Sequence, residues 1–176
     1  MENDVRDIVY DGKDFHYIYR VGALIYNFDK SKVLLFYGNN ADFYMLPGGK
    51  VKVLETSKKA IKRELKEELG FDNLEFDFAG ISEEIIKDNV FNVHQLTLIY
   101  KCIYNGRITE TNIKGKDSDY NNFEWIDIQD LKKLKTHPKE IYTLIENDNI
   151  IKHIVEEINE WFKLYYCYFK LSKFVE

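Results

Sequence analysis

Cysteine, proline and long apolar runs are scarce in this sequence, and each shortage excludes a class of protein. The two cysteines, Cys102 and Cys167, lie far apart and show no metal-ligand spacing, so we expect free thiols in a reducing compartment. No apolar run reaches the roughly 18 residues that a membrane-spanning helix needs. The charged segment 1–15 contains no apolar signal region. We therefore predict a cytoplasmic protein without a membrane span.

Arginine is scarce too, and the net charge is negative. Arginine occurs at positions 6, 20, 63 and 107, and the 176-residue chain has a net charge of −5. Proteins that hold duplex DNA by bulk charge need a basic face, so we expect no DNA duplex as a partner. A nucleotide bound through a metal ion is not excluded. With 45% hydrophobic and 31% charged residues, the composition is that of a globular domain.

The order of the periodic segments predicts an α/β domain with a mixed sheet. Aromatic and β-branched residues indicate strands at 17–27, 32–38, 43–46, 74–86, 90–104 and 123–126. Helical patterns lie at 56–69, 128–134 and 138–147, and the polar segment 105–122 is typical of a loop. Thr56 or Ser57 can cap the first helix and Gly70 can end it. We see no internal repeat.

The first helix carries its carboxylates on one side. At about 100° per residue, Glu64, Glu67 and Glu68 fall within an arc of roughly 100°. The lysines at 59, 62 and 66 fall on another face. Like charges four residues apart repel, so a cation among the glutamates would stabilise this arrangement. Carboxylate oxygens are the ligands that hard divalent ions such as Mg²⁺ prefer.

The segment before this helix supports a ligand site. Gly48 and Gly49 allow the backbone to approach a ligand closely and to expose its carbonyl groups. Glu55 precedes the helix, and an ion pair between Arg63 and Glu55 would tie the loop to the helix.

Together these residues resemble the signature of the Nudix family. The segment reads Gly49, five residues, Glu55, seven residues, Arg63-Glu64-Leu65, one residue, Glu67-Glu68, one residue and Gly70-Phe71. It is similar to the Nudix box without a mismatch, and seven fixed identities arise by chance about once in 10⁸ start positions. The order of strands around it is also similar, from residue 17 to about residue 133.

The resemblance implies a fold, an activity and roles for residues. The fold is an α/β/α sandwich around a mixed sheet, and the activity is hydrolysis of a nucleoside diphosphate linked to another group. Glu64, Glu67 and Glu68 would bind Mg²⁺ or Mn²⁺ with the carbonyl of Gly48 or Gly49, and Glu55 and Arg63 would form the orienting pair. We take Glu64 as the first candidate for the general base. Some family members use an acid from a later loop, for which the candidates are Asp117, Asp119 and Glu124.

Signals outside the box do not name the substrate. The proline expected of ADP-ribose hydrolases and the signatures of the NADH, coenzyme A and dinucleoside polyphosphate subfamilies are absent. We therefore expect a pyrophosphohydrolase of the small, general nucleotide type, which includes enzymes that act on nucleoside triphosphates. Arg20 could contact a phosphate or base, or form an edge salt bridge. Phe43 and Tyr44 could stack on a base, although one of the two should pack in the core. A lone strand histidine such as His94 is more often a core residue than a catalyst.

The C-terminal region predicts an appended element. Apolar residues recur at helical spacing from position 150 to 169, so we expect a Nudix domain at 1–147 and an amphipathic helix at 148–176. This helix would pack on the domain or on the partner in a homodimer, or bind a partner or membrane surface. Two alternatives to the hydrolase of small nucleotides stay open: a nucleotide sensor without turnover, and a pyrophosphohydrolase of RNA 5′ ends.

Overall fold

The computed structural model describes residues 6–39, 41–87, 92–107, 111–116, 121–146 and 150–158. The strands in these ranges are β1 (Val9–Asp11), β2 (Phe15–Asn27), β3 (Lys32–Gly38), β4 (Tyr44–Met45), β5 (Asp77–Ile86), β6 (Asn92–Tyr104), β7 (Asn112–Lys114), β8 (Asn121–Asp127), β9 (Thr136–His137) and β10 (Lys152–Ile158). The helices are α1 (Ser57–Leu69), α2 (Ile141–Glu146) and a 3₁₀ helix (Ile128–Lys133). No described helix is long and apolar enough to span a membrane.

Within the described ranges, the ten strands form one mixed sheet. Its main order is β10-β5-β6-β2-β3-β4-β9, while β1 pairs with β2 and β7 joins through β8 to β3. The central strand β2 is parallel to β6 along its whole length and antiparallel to β3 at its end. Three pairs are parallel: β2 with β6, β5 with β10 and β4 with β9. The sheet is therefore mixed, as predicted.

The helices cover both faces of this sheet. Successive side chains of a strand point to opposite faces, and β2 is buried on both. Val21, Ala23 and Ile25 belong to the core cluster that includes Ile61 and Leu65 of α1. Leu24 and Tyr26 belong to a second cluster, which includes Leu131 of the 3₁₀ helix and Ile141 and Leu144 of α2. The predicted α/β sandwich is therefore confirmed, with α1 on one face and α2 on the other.

The predicted helix at the C-terminal end is wrong where the structure describes it. Residues 152–158 form strand β10, which lies parallel to β5. Ile154 and Ile158 are buried while Val155 between them is exposed, which is the alternation of a strand. A spacing of four residues fits both a helix and a strand, and the β-branched residues favour the strand. The rest of the predicted helix, at 159–176, lies outside the described residues.

Other differences concern shorter elements. The segment 105–122, predicted as a loop, contains β7 and the first residues of β8. The predicted helix at 128–134 is the 3₁₀ helix, and the predicted helix at 138–147 is the shorter α2. These elements are short, so tertiary pairing decides their form more than local periodicity does.

Candidate active site

Helix α1 begins and ends at the residues that its sequence predicts. Thr56 has an extended backbone and its hydroxyl accepts a hydrogen bond from the amide of Lys59. Gly70 adopts the left-handed conformation, with φ of 72°, and its amide bonds to the carbonyl groups of Leu65 and Lys66. These two residues fix the ends of the helix, and the burial of Ile61, Leu65 and Leu69 fixes its rotation about its axis. The lysines at 59, 62 and 66 consequently face solvent, as predicted.

Arg63 lies among the carboxylates, and its three nitrogen atoms donate hydrogen bonds to different partners. Nε and Nη2 each donate to one oxygen of Glu55, both at 2.9 Å. Nη2 also donates to the carbonyl of Lys50 at 3.0 Å. Nη1 donates instead to Glu64 at 2.7 Å and to Glu67 at 3.1 Å. The predicted Arg63–Glu55 pair is thus present and bidentate, and it joins the loop before the helix to the helix itself.

The two ends of this cluster differ in their acidity. The hydrogen bonds from Arg63 lower the pKa of Glu55. Burial raises the pKa of Glu64, against the opposing charge of Arg63. Glu55 therefore acts as a permanently ionised anchor near neutral pH. Glu64 holds a proton more readily than an exposed glutamate does.

The Pro47-Gly48-Gly49 turn lies against β2 and against Glu64. The amides of Val21 and Ala23 donate to the carbonyl groups of Gly49 and Pro47, at 2.9 and 2.8 Å. Gly48 has φ of 141°, and a Cβ there would lie 2.2 Å from the carbonyl oxygen of Val21. A Cβ on Gly49 would lie 2.4 Å from the carboxyl carbon of Glu64. Only glycine fits at Gly48, where the clash is with backbone, whereas a side chain at Gly49 would displace the carboxylate of Glu64. The turn thus brings backbone next to the glutamate.

The predicted metal ligands are of the right chemistry but are not gathered in one arrangement. Among the described residues, no three His, Cys, Asp or Glu side chains form a group that could hold a metal ion. Glu64 and Glu67 both bind Nη1 of Arg63, while Glu68 is buried one residue further along α1. The carbonyl of Gly48 accepts from Nη2 of Arg20 at 3.2 Å. Three of these four candidate ligands thus accept a hydrogen bond from a guanidinium group. Oxygen atoms that already face a positive charge suit a metal cation that prefers oxygen ligands.

Tyr44 and Glu124, two other predicted site residues, contact each other. Tyr44 is half-buried and its hydroxyl donates to Glu124 at 2.8 Å. Phe43, its neighbour, is buried in the core, as predicted for one of the pair. Burial, followed by this hydrogen bond, raises the pKa of Tyr44 to about 12. Glu124 is therefore engaged by the hydroxyl of Tyr44. Asp117 and Asp119 lie outside the described residues.

The surroundings of His94 and of its neighbour Gln95 were not predicted. The expectation of a core position for His94 is wrong, because its side chain is 43% exposed and lies 3.5 Å from Glu83. Gln95 is buried instead, beside Glu84 of β5, to which it donates a hydrogen bond at 3.2 Å. The sequence signal that could have indicated this contact is that Glu84 and Gln95 are polar residues within two otherwise apolar strands.

Comparison with known proteins agrees with this geometry. The family model of the NUDIX domain matches residues 16–147. The mRNA-decapping enzyme subunit 2 of Saccharomyces cerevisiae strain YJM789 is 30% identical over 129 residues, 72% of this chain and 12% of that protein. An m7GpppN-mRNA hydrolase of Saccharomyces cerevisiae strain S288c matches to the same extent. The chain thus spans 12% of the length of these curated relatives.

Solved structures show the same fold. The mutator MutT protein from Bacillus halodurans superposes with a TM-score of 0.65 at 18% identity, over 81% of this chain and 90% of that one. The dihydroneopterin triphosphate pyrophosphohydrolase of E. coli superposes with a TM-score of 0.58 at 20% identity, over 74% of this chain and 95% of that one. With the family match, the intact box and this fold, the chain belongs to the Nudix family of hydrolases.

Proposed function

We propose that this protein hydrolyses a phosphoric anhydride bond in a small substrate that contains a nucleoside diphosphate linked to another group. The observation that carries this proposal is the Arg63-centred group of carboxylates on α1, which lies against the glycine turn. Carboxylates that surround a single cation, next to exposed backbone, suit the binding of a metal ion and a pyrophosphate.

The residues that would hold Mg²⁺ or Mn²⁺ are Glu64, Glu67, Glu68 and the carbonyl of Gly48. When bound, a divalent ion supplies charge neutralisation for the phosphate oxygens. Arg63 keeps α1 and the loop together through Nε and Nη2, which bind Glu55 and not the candidate ligands. Glu64 and Glu67 can therefore exchange their bond with Nη1 for another positive partner while the anchor remains in place.

Glu64 is the proposed general base. Arg63 binds its Oε1 atom, so Oε2 is the oxygen that would take a proton from the attacking water. The water oxygen forms a bond to one phosphorus, the bridging P–O bond breaks, and the bridging oxygen leaves with the other phosphate. Burial raises the pKa of Glu64, which makes it a stronger base than a solvent-exposed glutamate.

A second candidate substrate is the 5′ end of an RNA. It uses the same bond chemistry, and the similarity to the two Saccharomyces cerevisiae proteins favours it. The exposed lysines of α1 lie on the opposite side of the helix from the candidate ligands, so they form no basic surface beside the site. The net charge of −5 also disfavours the binding of a polyanion such as RNA. We therefore place the small nucleotide first. A nucleotide sensor without turnover is the remaining alternative.

A substrate panel tests the proposal. Nucleoside triphosphates including oxidised ones, nucleotide sugars, ADP-ribose, dinucleotides and capped RNA would be incubated with Mg²⁺ or Mn²⁺, and the release of phosphate or pyrophosphate measured. Glu67→Gln is the test variant, and Glu75→Gln, whose side chain is 88% exposed, is the matched control. We expect turnover of one substrate class, a loss of at least about tenfold to a hundredfold in Glu67→Gln, and full activity in the control.

The outcomes separate the candidates. Turnover of capped RNA alone would favour the second candidate, and its salt dependence would report phosphate contacts. A folded protein that binds nucleotides but cleaves none would overturn the hydrolase and favour the sensor. The cytoplasmic location, the choice between Mg²⁺ and Mn²⁺, and the homodimer all stay predictions.

A further inference from the structure

A cluster of buried polar side chains lies on the face of the sheet that α2 covers. Glu84 of β5, Gln95 of β6 and Glu156 of β10 are aligned in register across three adjacent strands, and His137 of β9 packs beside Glu156. None of the four is more than 6% exposed, and Glu84 is 2% exposed. Burying a carboxylate is costly unless it is well paired. A cluster of this kind therefore calls for a reason beyond core packing.

The contacts of the cluster converge on Glu84. Ser82 and Gln95 each donate a hydrogen bond to one of its oxygens at 3.2 Å. Glu156 is held separately, by the amide of Lys139 at 3.0 Å and by His137 at 3.5 Å. Burial raises the pKa of Glu84, as does the charge of Glu156, while the charges of Arg20 and His137 act in the opposite direction. Glu84 is thus within electrostatic reach of Arg20.

Arg20 lies between this cluster and the candidate active site. It stands on β2 opposite Thr97 of β6, which in turn faces Ser82 of β5, two residues along the strand from Glu84. Its Nη2 atom donates to the carbonyl of Gly48 at 3.2 Å. Its charge also acts on Glu64, where it opposes the effect of burial on the pKa. One guanidinium group thus binds the glycine turn, and its charge favours the ionised forms of both Glu84 and Glu64.

The glycine turn needs such a support. Gly48 has no side chain of its own, and its φ of 141° is a conformation that few residues adopt. Backbone hydrogen bonds hold the carbonyl groups of Pro47 and Gly49 on β2, whereas the carbonyl of Gly48 between them is bound by a side chain. If the carbonyl oxygen of Gly48 pointed in another direction, the metal ion and the reacting groups would shift, and small shifts of reacting groups lower the rate of catalysis strongly.

We propose that Arg20 is a positioning residue, which Glu84 holds from the buried side and which fixes the direction of the Gly48 carbonyl. The inference rests on the proposed function, because the Gly48 carbonyl matters there as a candidate metal ligand. Arginine suits this role better than lysine, since its planar group donates in two directions at once. The cluster around Glu84, including the last described strand, then serves the active site and not the core alone.

The competing role for Arg20 is direct contact with a substrate phosphate, and kinetics distinguish the two. A lost substrate contact raises KM, whereas a misplaced ligand oxygen lowers kcat. The test variants are Arg20→Lys and Glu84→Gln. The matched control is Glu83→Gln, because Glu83 neighbours Glu84 on β5 but binds His94 and His153 at the surface instead.

Three readouts are measured on the full chain. Hydrogen exchange follows the amides of Val21 and Ala23, which the glycine turn protects. Electron paramagnetic resonance measures the affinity for Mn²⁺ alone. Steady-state kinetics use the substrate that the panel identifies. In both test variants we expect about tenfold faster exchange, about tenfold weaker Mn²⁺ binding and about tenfold lower kcat, with KM changed by less than about twofold. The control should match the wild type.

Several results would overturn this inference. Unchanged exchange in a folded Arg20→Lys protein would remove the positioning role, and a tenfold rise in KM at constant kcat would replace it by substrate contact. If the wild type cleaves nothing in the panel, the proposed function fails, while exchange and Mn²⁺ binding still decide the role of Arg20. If Glu84→Gln does not fold, Arg20→Lys decides alone, because it empties no buried position.

Discussion

Arg63 shows how one residue serves two partners through different atoms. Its Nε and Nη2 atoms bind Glu55 and the carbonyl of Lys50, and its Nη1 atom binds Glu64 and Glu67. A planar group with five donors in fixed directions makes such a division feasible. The anchor and the exchangeable contact are then independent, which a point charge does not allow.

Replacement of Arg63 by lysine should therefore lower stability strongly. In metal-free Arg63→Lys, a single ammonium cannot reproduce the bidentate bond to Glu55 and the bonds to Glu64. We expect the free energy of unfolding to fall by about 2 kcal/mol or more in urea titrations. Arg107→Lys, at an exposed arginine, is the control and should change it by less than about 0.5 kcal/mol. A similar small change in Arg63→Lys would contradict the anchoring role.

Gly48 should tolerate no side chain. In Gly48→Ala, the added Cβ would meet the backbone of Val21 at 2.2 Å, and the φ of 141° would itself be strained. We expect a loss of about 2 kcal/mol or more in the free energy of unfolding. Gly12→Ala is the comparison, because its Cβ would meet only the side chain and carbonyl of the exposed Phe15, at 2.8 Å and beyond. Equal losses in the two variants would mean that the glycine turn is less constrained than described.

At the scale of elements, β10 is the part of the fold that most changes the interpretation of the sequence. It extends the sheet beyond β5 and brings Glu156 into register with Glu84. Its inward residues are Ile154, Glu156 and Ile158, and its outward residues include Val155. By pairing with β5, this strand satisfies the backbone hydrogen-bonding groups along an edge of β5 that would otherwise be open.

The alternation along β10 gives a paired test. Ile154→Ala removes a side chain that packs with α2 and the 3₁₀ helix, so we expect a loss of about 2–4 kcal/mol in the free energy of unfolding. Val155→Ala, at an adjacent residue that is 59% exposed, should cost less than about 0.5 kcal/mol. Chemical denaturation of both variants measures the difference. Comparable losses would argue against the strand.

The sequence predicted α1 and its cluster because the determinants are local. A cap at Thr56, a stop at Gly70 and an arginine eight residues after Glu55 specify the helix and its ion pair without reference to the rest of the chain. The α/β/α sandwich was implied by the resemblance of this same local segment to the Nudix box, and the mixed sheet by the order of the predicted strands and helices.

The sequence could not predict what depends on alignment between distant strands. Ile154 and Ile158 are four residues apart, which fits a helix as well as a strand. Glu84 and Gln95 become neighbours only when β5 and β6 pair in the observed register. Similarly, the bond between Tyr44 and Glu124 joins residues 80 positions apart, so no local pattern announces it.

For the whole molecule, the anchor between Glu55 and Arg63 predicts how stability depends on pH. The hydrogen bonds from Arg63 lower the pKa of Glu55 below its ordinary value of 4.5. Its contribution is therefore fully present above that value and is lost as the pH falls through the lower pKa of the folded state. The difference in unfolding free energy between the wild type and Glu55→Gln should be constant near neutral pH and shrink in acid.

Urea titrations at a series of pH values from about 7 to about 3 measure this difference, whose size follows from the shift in pKa. Glu75→Gln serves as the control, since that carboxylate is 88% exposed and should show no comparable dependence. A difference that grows as the pH falls would reverse the sign and refute the assignment of Glu55 as an ionised anchor.

The parallel pairing of β2 with β6 has a consequence for folding during synthesis on the ribosome. The glycine turn and α1 are synthesised before β6, yet the strand that supports them, β2, pairs with β6 over its whole length. At about 5–20 residues per second, β2 waits on the order of several seconds for its partner. During that time an apolar central strand has one open edge, and it is then that the nascent chain most needs a chaperone.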